Sequence, residues 1–478
     1  MKTKTLIILL LFFSCFLING QNIKPERLKG SWVGNIVLPN SSKILVVMKF
    51  DIKENLIEGN LDVPAQSTKD IYIDSVRVLK DSVITDHSST IGPRSFFKGL
   101  ILPGDSVIDG KWMQSGGSFP LRLRTTTYVF TPVPKKSNLN PKLEGYKVVK
   151  LIESTPVKDQ QMTGLCWCFA TTSFIETEAI RLGKKPVVLS PMFFVIPTYI
   201  DKAEKYIRMN GKSCFSPGDL TFSAMSAYRK FGAVPQSVFS GKKDSTSTYN
   251  HGRMDFKLLE KVKYYVSSGK GNMTADGYRE SIANILSGTL GKAPSSFNYN
   301  QKLYTPKSFA EEMVGINPDD YVEITSFTHY PFYSKFVLEI ESNWNNNFYL
   351  NLPLNDFINV VDYALLHNYS VAWDGDIRDG YKNGFAVLGD SANSISQLMR
   401  QNAFDNYTTI DHHNMHIIGI AKNEKGKEFY IVKNSSDILD CGGYLYMSKE
   451  FFLLKTISVM VNKNAIPTEI KKRITMAL

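Results

Sequence analysis

The stretch Gln160-Gln161-Met162-Thr163-Gly164-Leu165-Cys166-Trp167-Cys168-Phe169-Ala170 constrains this chain more than any other. It puts a cysteine, followed by a tryptophan, at the first turn of a helix, with a glutamine six residues upstream. A helix N-terminus and a neighbouring imidazolium both lower a thiol pKa. A side-chain amide close to the sulfur donates to the oxyanion that forms when a thiolate attacks a carbonyl. Any single cysteine is more often a buried, inert core residue, but the company kept by Cys166 argues for a nucleophile.

A nucleophilic thiol needs a base and a group to orient that base. Met415-His416-Ile417-Ile418-Gly419-Ile420-Ala421 reads as a strand, Asn423-Glu424-Lys425-Gly426-Lys427 as a turn, and Phe429-Tyr430-Ile431-Val432-Lys433-Asn434 as the returning strand. A hairpin centred on Lys425 sets His416 opposite Asn434. Directly paired residues have Cβ atoms about 5 Å apart on one face, so this register predicts a Cys166–His416–Asn434 triad. In the same register His413 faces Asp437, and a His–Asp pair stays open as an alternative.

The Gln160–Ala170 segment resembles the active-site segment of papain-like cysteine peptidases. Gly164, two residues before the cysteine, makes it most similar to the bleomycin hydrolase (aminopeptidase C) branch. The His416 and Asn434-Ser435 segments resemble that family's His and Asn-Ser-Trp-Gly motifs. Ser436-Asp437 stands where the family has Trp-Gly, which exposes the Asn–His pair to more water. Leu189-Ser190-Pro191, Arg229–Pro235, Tyr349–Leu354 and Val371–Asp376 resemble further segments of the branch, in family order. About 250 residues separate Cys166 from His416, which matches the large insertions of that branch.

The resemblance spans residues 145–462 and implies an α+β fold with a helical lobe and a β-barrel-like lobe over 143–478. It places an insertion at about 242–310, helical around Phe256–Ser267 and Ala275–Leu290. It implies Cys166 as thiolate, His416 as proton carrier and Asn434 as its orienting group. Gln160 and the Cys166 backbone N–H would form the oxyanion hole, and no cofactor is required. The substrate is then a peptide, hydrolysed through an acyl-enzyme. In the branch, the chain's C-terminal carboxylate captures the substrate amine within a hexamer, so aminopeptidase action is favoured over endopeptidase action. The basic, amphipathic tail Asn464–Leu478 does not match the branch's ending, which leaves the oligomeric state open. Ser436 supports a competing reading, a peptide-binding relative that has lost catalysis.

A chain of 478 residues, 43% of them apolar, predicts two to three domains with ample cores. Met1-Lys2-Thr3-Lys4 followed by the apolar run Leu6–Ile18 reads as a secretory signal peptide ending near Gly20. That places the protein in the periplasm or outside the cell. The run is short for a span, and Cys15 sits in a poor context for lipid attachment. Removing residues 1–20 takes away two lysines and no acids, and lowers the net charge from +11 to +9. This charge is diffuse. It forms no basic or aromatic-interleaved motif for nucleic acid. Cys166, Cys168, Cys214 and Cys441 are too few for a disulfide framework, although Cys214 and Cys441 could pair in an oxidising compartment. No Cys/His cluster has metal-ligand spacing; His412, His413 and His416 only mimic one.

Residues 21–130 read differently. Trp32–Leu38, Ile44–Ile52, Ile57–Val63, Ile71–Leu79, Phe96–Leu102, Val107–Met113 and Phe119–Arg124 alternate between apolar and polar residues, punctuated by Gly, Pro, Asn and Asp. They predict a small antiparallel barrel or sandwich. The stretch resembles a lipocalin-like β-domain and carries no catalytic constellation. Residues 131–142, rich in Pro and polar residues, form a semi-extended linker.

Overall fold

The computed structural model describes residues 25–38, 41–53, 56–64, 68–87, 95–114, 116–127, 145–244, 247–268, 275–382, 384–388, 394–436 and 442–477. The expected signal peptide, the linker and Asp437 and Cys441 lie outside these residues. The chain divides into two compact units, one ending at Thr131 and one beginning at Pro132 apart from a short exchange at residues 90–92.

In the first unit, eight described strands close into an antiparallel barrel: β1 (Gly30–Val37), β2 (Lys43–Lys53), β3 (Leu56–Val63), β4 (Thr68–Leu79), β5 (Ser82–His87), β6 (Ser95–Ile101), β7 (Val107–Gln114) and β8 (Gly117–Thr126). Strand β1 pairs with both β2 and β8, which removes the open edges. Alternate side chains point inward, and Trp32, Met48, Phe97, Ile108 and Leu123 fill the interior. A Cβ on Gly34 would stand 2.4 Å from the Arg122 carbonyl oxygen, so the closing seam needs a glycine there. Strand β5 is absent from the sequence expectation. Its inward positions are Val83, Thr85 and His87, and two of these three are polar. Thr85 Oγ1 and His87 Nε2 bond each other across 2.8 Å, so a polar pair occupies core positions that a hydrophobic pattern cannot flag.

The second unit begins with β9 (Tyr146–Leu151) and the helices α1 (Cys166–Arg181), α2 (Pro191–Arg208), α3 (Thr221–Phe231), α4 (Gly252–Ser267) and α5 (Ala275–Leu290). A hairpin of β10 (Phe297–Tyr299) and β11 (Lys302–Tyr304) and the short α6 (Pro306–Phe309) close this helical region. The remaining elements are β12 (Tyr321–Thr325), β13 (Lys335–Val337), β14 (Phe348–Asn351), α7 (Leu354–Leu366), β15 (Val371–Gly375), β16 (Tyr381–Lys382), β17 (Phe385–Ala386), α8 (Gln397–Asp405), β18 (His413–Asn423), β19 (Glu428–Lys433), β20 (Tyr444–Ser448), α9 (Lys449–Lys455), β21 (Thr456–Asn462) and α10 (Thr468–Ala477). Among the described residues the sheet runs β13-β14-β12-β21-β15-β18-β19-β20-β17-β16, with β9 added on β18.

Helix α1 is buried on nearly every side, from Trp167 to Ala179. Its buried polar side chains find partners inside, Thr171 on Trp167 O, Ser173 on His416 and Glu176 on Lys158, so the helix lies between the helical core and the sheet. Strand β18 is also buried on both faces: Met415, Ile417 and Ile420 join the core under α7, while the other face meets α1. No helix among the described residues is long and apolar enough to cross a membrane.

Candidate active site

Cys166 is the first residue of α1 and is partly exposed. The chain ahead of it is held tightly. Gln160 N donates to Ser435 O at 2.8 Å, and Thr163 Oγ1 returns to Gln160 O at 2.9 Å. A Cβ on Gly164 would stand 2.9 Å from Pro217, whose carbonyl accepts the Trp167 indole N–H at 3.0 Å. Gly164 thus lets the loop before α3 pack onto the helix start, and Trp167 pins it there.

The hairpin brings a different histidine to Asn434 from the one expected. His413 Nε2 lies 2.8 Å from Asn434 Oδ1. The Asn434 oxygen also accepts the Ser435 N–H at 2.8 Å, which fixes it as the acceptor. His413 therefore donates through Nε2–H and carries its lone pair on Nδ1. His416 is fully buried elsewhere, with Nδ1 2.9 Å from Ser173 Oγ and its ring edge-on to Phe174. The expected His416–Asn434 pairing is corrected by a bulge. The ladder holds the predicted register from Lys422↔Glu428 back to Gly419↔Ile431, then shifts, so that His416 pairs with Lys433. One extra residue turns a strand's side chains to the opposite face. The signal was Gly419, a glycine inside a strand pattern. A Cβ there would meet the Lys150 carbonyl oxygen at 2.4 Å, where β9 joins β18.

Two contacts set the level of β18 along α1. Ser173 meets His416, and the backbone N–H of Asn414 points at the Cys166 sulfur. From Cys166 to Ser173 a helix rises about 10 Å, and from His413 to His416 a strand advances about 10 Å. Cys166 and the His413–Asn414 step therefore share one level, with His416 two helical turns deeper.

Burial pushes the Cys166 thiol up to about 11, against the pull of the N–H groups of Asn414, Trp167 and Cys166 itself; the Asp411 charge adds to the rise. Burial pushes the His413 imidazole down to about 4, opposed by its bond to Asn434. Both shifts favour a neutral thiol and a neutral imidazole.

Gln160 sits beside this pair. Its Nε2 donates to Thr163 O at 2.6 Å, and its Oε1 accepts the Ser435 hydroxyl. An amide nitrogen has two hydrogens, so one donor remains for an incoming oxyanion. Cys168 is buried, with its thiol on Pro191 O at 3.1 Å, and burial holds its pKa well above the ordinary value. Cys214 is partly exposed, 3.4 Å from Ser216 Oγ, and its expected partner Cys441 falls outside the described residues. Among the described residues no group of three or more His, Cys, Asp or Glu side chains is arranged to hold a metal ion. The tail helix α10 lies against α7. Ile470 is buried there, and Arg473 pairs with Asp356 at 3.0 Å.

A cysteine opening a buried helix, facing a strand that presents a His–Asn pair, defines the papain-like class. Residues 220–477 match the Peptidase C1-like family, and the chain belongs to that family of cysteine peptidases. The matched region contains His413 and Asn434; Cys166 precedes it. The chain is 22% identical to aminopeptidase W of Lactobacillus delbrueckii subsp. lactis, over 67% of this chain and 83% of that protein. It is 22% identical to aminopeptidase C of Streptococcus thermophilus, over 51% of this chain and 62% of the relative. The crystal structure of PepW from Lactobacillus rhamnosis HN001 superposes with a TM-score of 0.55 at 19% identity, over 69% of this chain and 85% of that one. That likeness shows the fold.

Proposed function

We propose that the chain is an exported cysteine peptidase in which Cys166 is the nucleophile, His413 the base and Asn434 the group that orients it, acting as an aminopeptidase. The observation that carries this reading is the His413 Nε2–Asn434 Oδ1 bond of 2.8 Å at the level of Cys166. With Nε2–H committed to Asn434, Nδ1 is the atom that receives the Cys166 proton. The thiolate attacks the peptide carbonyl, and its electron pair becomes the new C–S bond. The oxyanion takes donors from the Cys166 backbone N–H and Gln160 Nε2. His413 returns the proton to the leaving amine, then takes one from the water that cleaves the thioester. The imidazolium–thiolate pair has to hold against burial that favours the neutral forms, so substrate binding and the Asn434 acceptor must make up the difference.

Export rests on the basic-then-apolar residues 1–20. Aminopeptidase action rests on the relatives' names. The alternative, a peptide binder that no longer cleaves, draws on Ser436 and on the raised Cys166 thiol. The test is labelling of the mature protein with an epoxide inhibitor of thiol peptidases, read by intact mass and peptide mapping, together with hydrolysis of aminoacyl and internally quenched peptides. A single adduct on Cys166 with release of N-terminal residues supports the proposal. An unreactive Cys166 supports the binder.

A further inference from the structure

Beside Cys166, on the sheet side of the site, stands a group of acids without a cation. Asp374, on β15, is 3% exposed and accepts Asn414 Nδ2 at 2.6 Å. Asp411 reaches Asp374 with its carboxyl and has Ser342 and His412 as its other neighbours. Glu323, on β12, is 4% exposed and has Ser458 Oγ at 3.2 Å. No lysine or arginine among the described residues forms an ion pair with any of the three. The contrast with Asp219, close by, is plain: it holds Lys202 Nζ at 3.3 Å and the Trp344 indole N–H at 3.0 Å, and is fully satisfied.

The polar atoms that face this group are unsatisfied. The Tyr349 hydroxyl is wholly buried among Glu323, Asp374, Asp411 and Asp219 and has no hydrogen-bond partner. Asn414 is 1% exposed, and its Oδ1 has none either. One carboxyl oxygen each of Asp374 and Asp411 is likewise buried and meets no donor beyond the proton the two carboxyls can share. Buried polar groups are normally satisfied, and several orphans aimed at one spot point to something that binds there. Three of these four atoms are acceptors, and no lysine or arginine among the described residues pairs with the acids, so the group that fits there is a donor-rich cation. Asn414 ties the spot to the chemistry: its side chain holds Asp374 while its backbone N–H faces the Cys166 sulfur.

We propose that Asp374 and Asp411, with Asn414 and Tyr349, receive a cationic group of the substrate beside Cys166, either its α-ammonium or a lysine or arginine side chain. This rests on the reading of Cys166 as the nucleophile. The entering cation replaces the proton that two adjacent carboxyls otherwise share. Asp374 and Asp411 are then specificity-determining residues.

The test compares three fluorogenic peptides on the mature wild type: one with a free α-amine and neutral side chains, one N-acetylated with a lysine before the scissile bond, and one N-acetylated and neutral throughout. One of the first two is expected to exceed the third by about thirtyfold or more in kcat/KM, mainly through KM, the loss seen when one partner of a buried charge pair is removed. Which of the two wins identifies the cation. Asp374→Asn and the partly exposed Asp411→Asn are each expected to abolish this preference, so that the cationic and neutral peptides are cleaved with the same kcat/KM. Equal cleavage of all three by the wild type overturns the proposal without any variant, as does a preference that survives both substitutions. Cleavage of none, with Cys166 unreactive toward the epoxide, overturns the nucleophile reading as well.

Discussion

Two histidines three residues apart on one strand have opposite fates: His413 bonds Asn434 at 2.8 Å, and His416 bonds Ser173 at 2.9 Å. The first lies at the level of the helix start, where Cys166 is partly exposed. The second is sealed in the core between α1 and β18, where burial and the charges of Lys433 and Lys158 hold its pKa well below the ordinary value. The division of labour comes from the bulge between Ile417 and Gly419.

His416 should therefore act on stability with a definite pH sign. In the unfolded chain an imidazole takes up a proton near pH 6.5, while in the fold it stays neutral well below that. Between the two values the unfolded state binds more protons, so this contribution is present above about pH 6.5 and fades as pH falls. His416→Gln retains a polar group opposite Ser173 and removes the titration. The wild type's stability advantage over this variant should shrink by about 1.4 kcal/mol per pH unit below 6.5. Denaturant midpoints at pH 7.5 and pH 5 check this; a constant difference would contradict it.

Glu176 anchors the base of the site. It is fully buried, takes Lys158 Nζ at 2.5 Å and the Leu189 N–H at 2.7 Å, and accepts the Thr155 hydroxyl, while Thr155 in turn accepts Lys433. Burial lowers Lys433 to about 7, and the Glu176 charge opposes that. Glu176→Gln takes the anion away from the part-buried Lys158 and the buried Lys433. Breaking a buried pair in this way costs about 3–5 kcal/mol, read as a large fall in the melting temperature. A loss within measurement error would show that these lysines are neutral or hydrated.

Gln160 is a donor near the developing oxyanion and also a tether, through Ser435, to the residue after Asn434. Gln160→Ala should lower kcat about 10²-fold with KM little changed, the usual cost of removing one such donor. If KM rises instead and kcat holds, Gln160 binds the ground state and is not part of the oxyanion hole.

Much of this was legible because local patterns carry it. Cys166 opens α1 where the motif put it, and the alternation of Trp32, Gly34 and Ile36 announces a barrel strand. The hairpin around Lys425 holds its predicted register as far as Gly419. What was not legible depends on non-local contacts. The bulge exists because β9 pairs with β18 from the other side, so the choice between His413 and His416 was decided by a strand more than two hundred residues upstream. Strand β5 hides its inward face behind Thr85 and His87. The acids Asp374, Asp411 and Glu323 come from three separate elements, and each alone reads as an ordinary polar residue.

The most direct test is the rate at which iodoacetamide alkylates Cys166, measured against pH in the wild type, His413→Ala and His416→Gln. An imidazolium–thiolate pair keeps the wild type reactive well below the ordinary thiol pKa. The account predicts that His413→Ala abolishes this neutral-pH reactivity and leaves only alkylation that rises toward the pKa of an isolated buried thiol. His416→Gln should retain the wild-type profile. Loss of reactivity in His416→Gln with retention in His413→Ala would contradict the assignment.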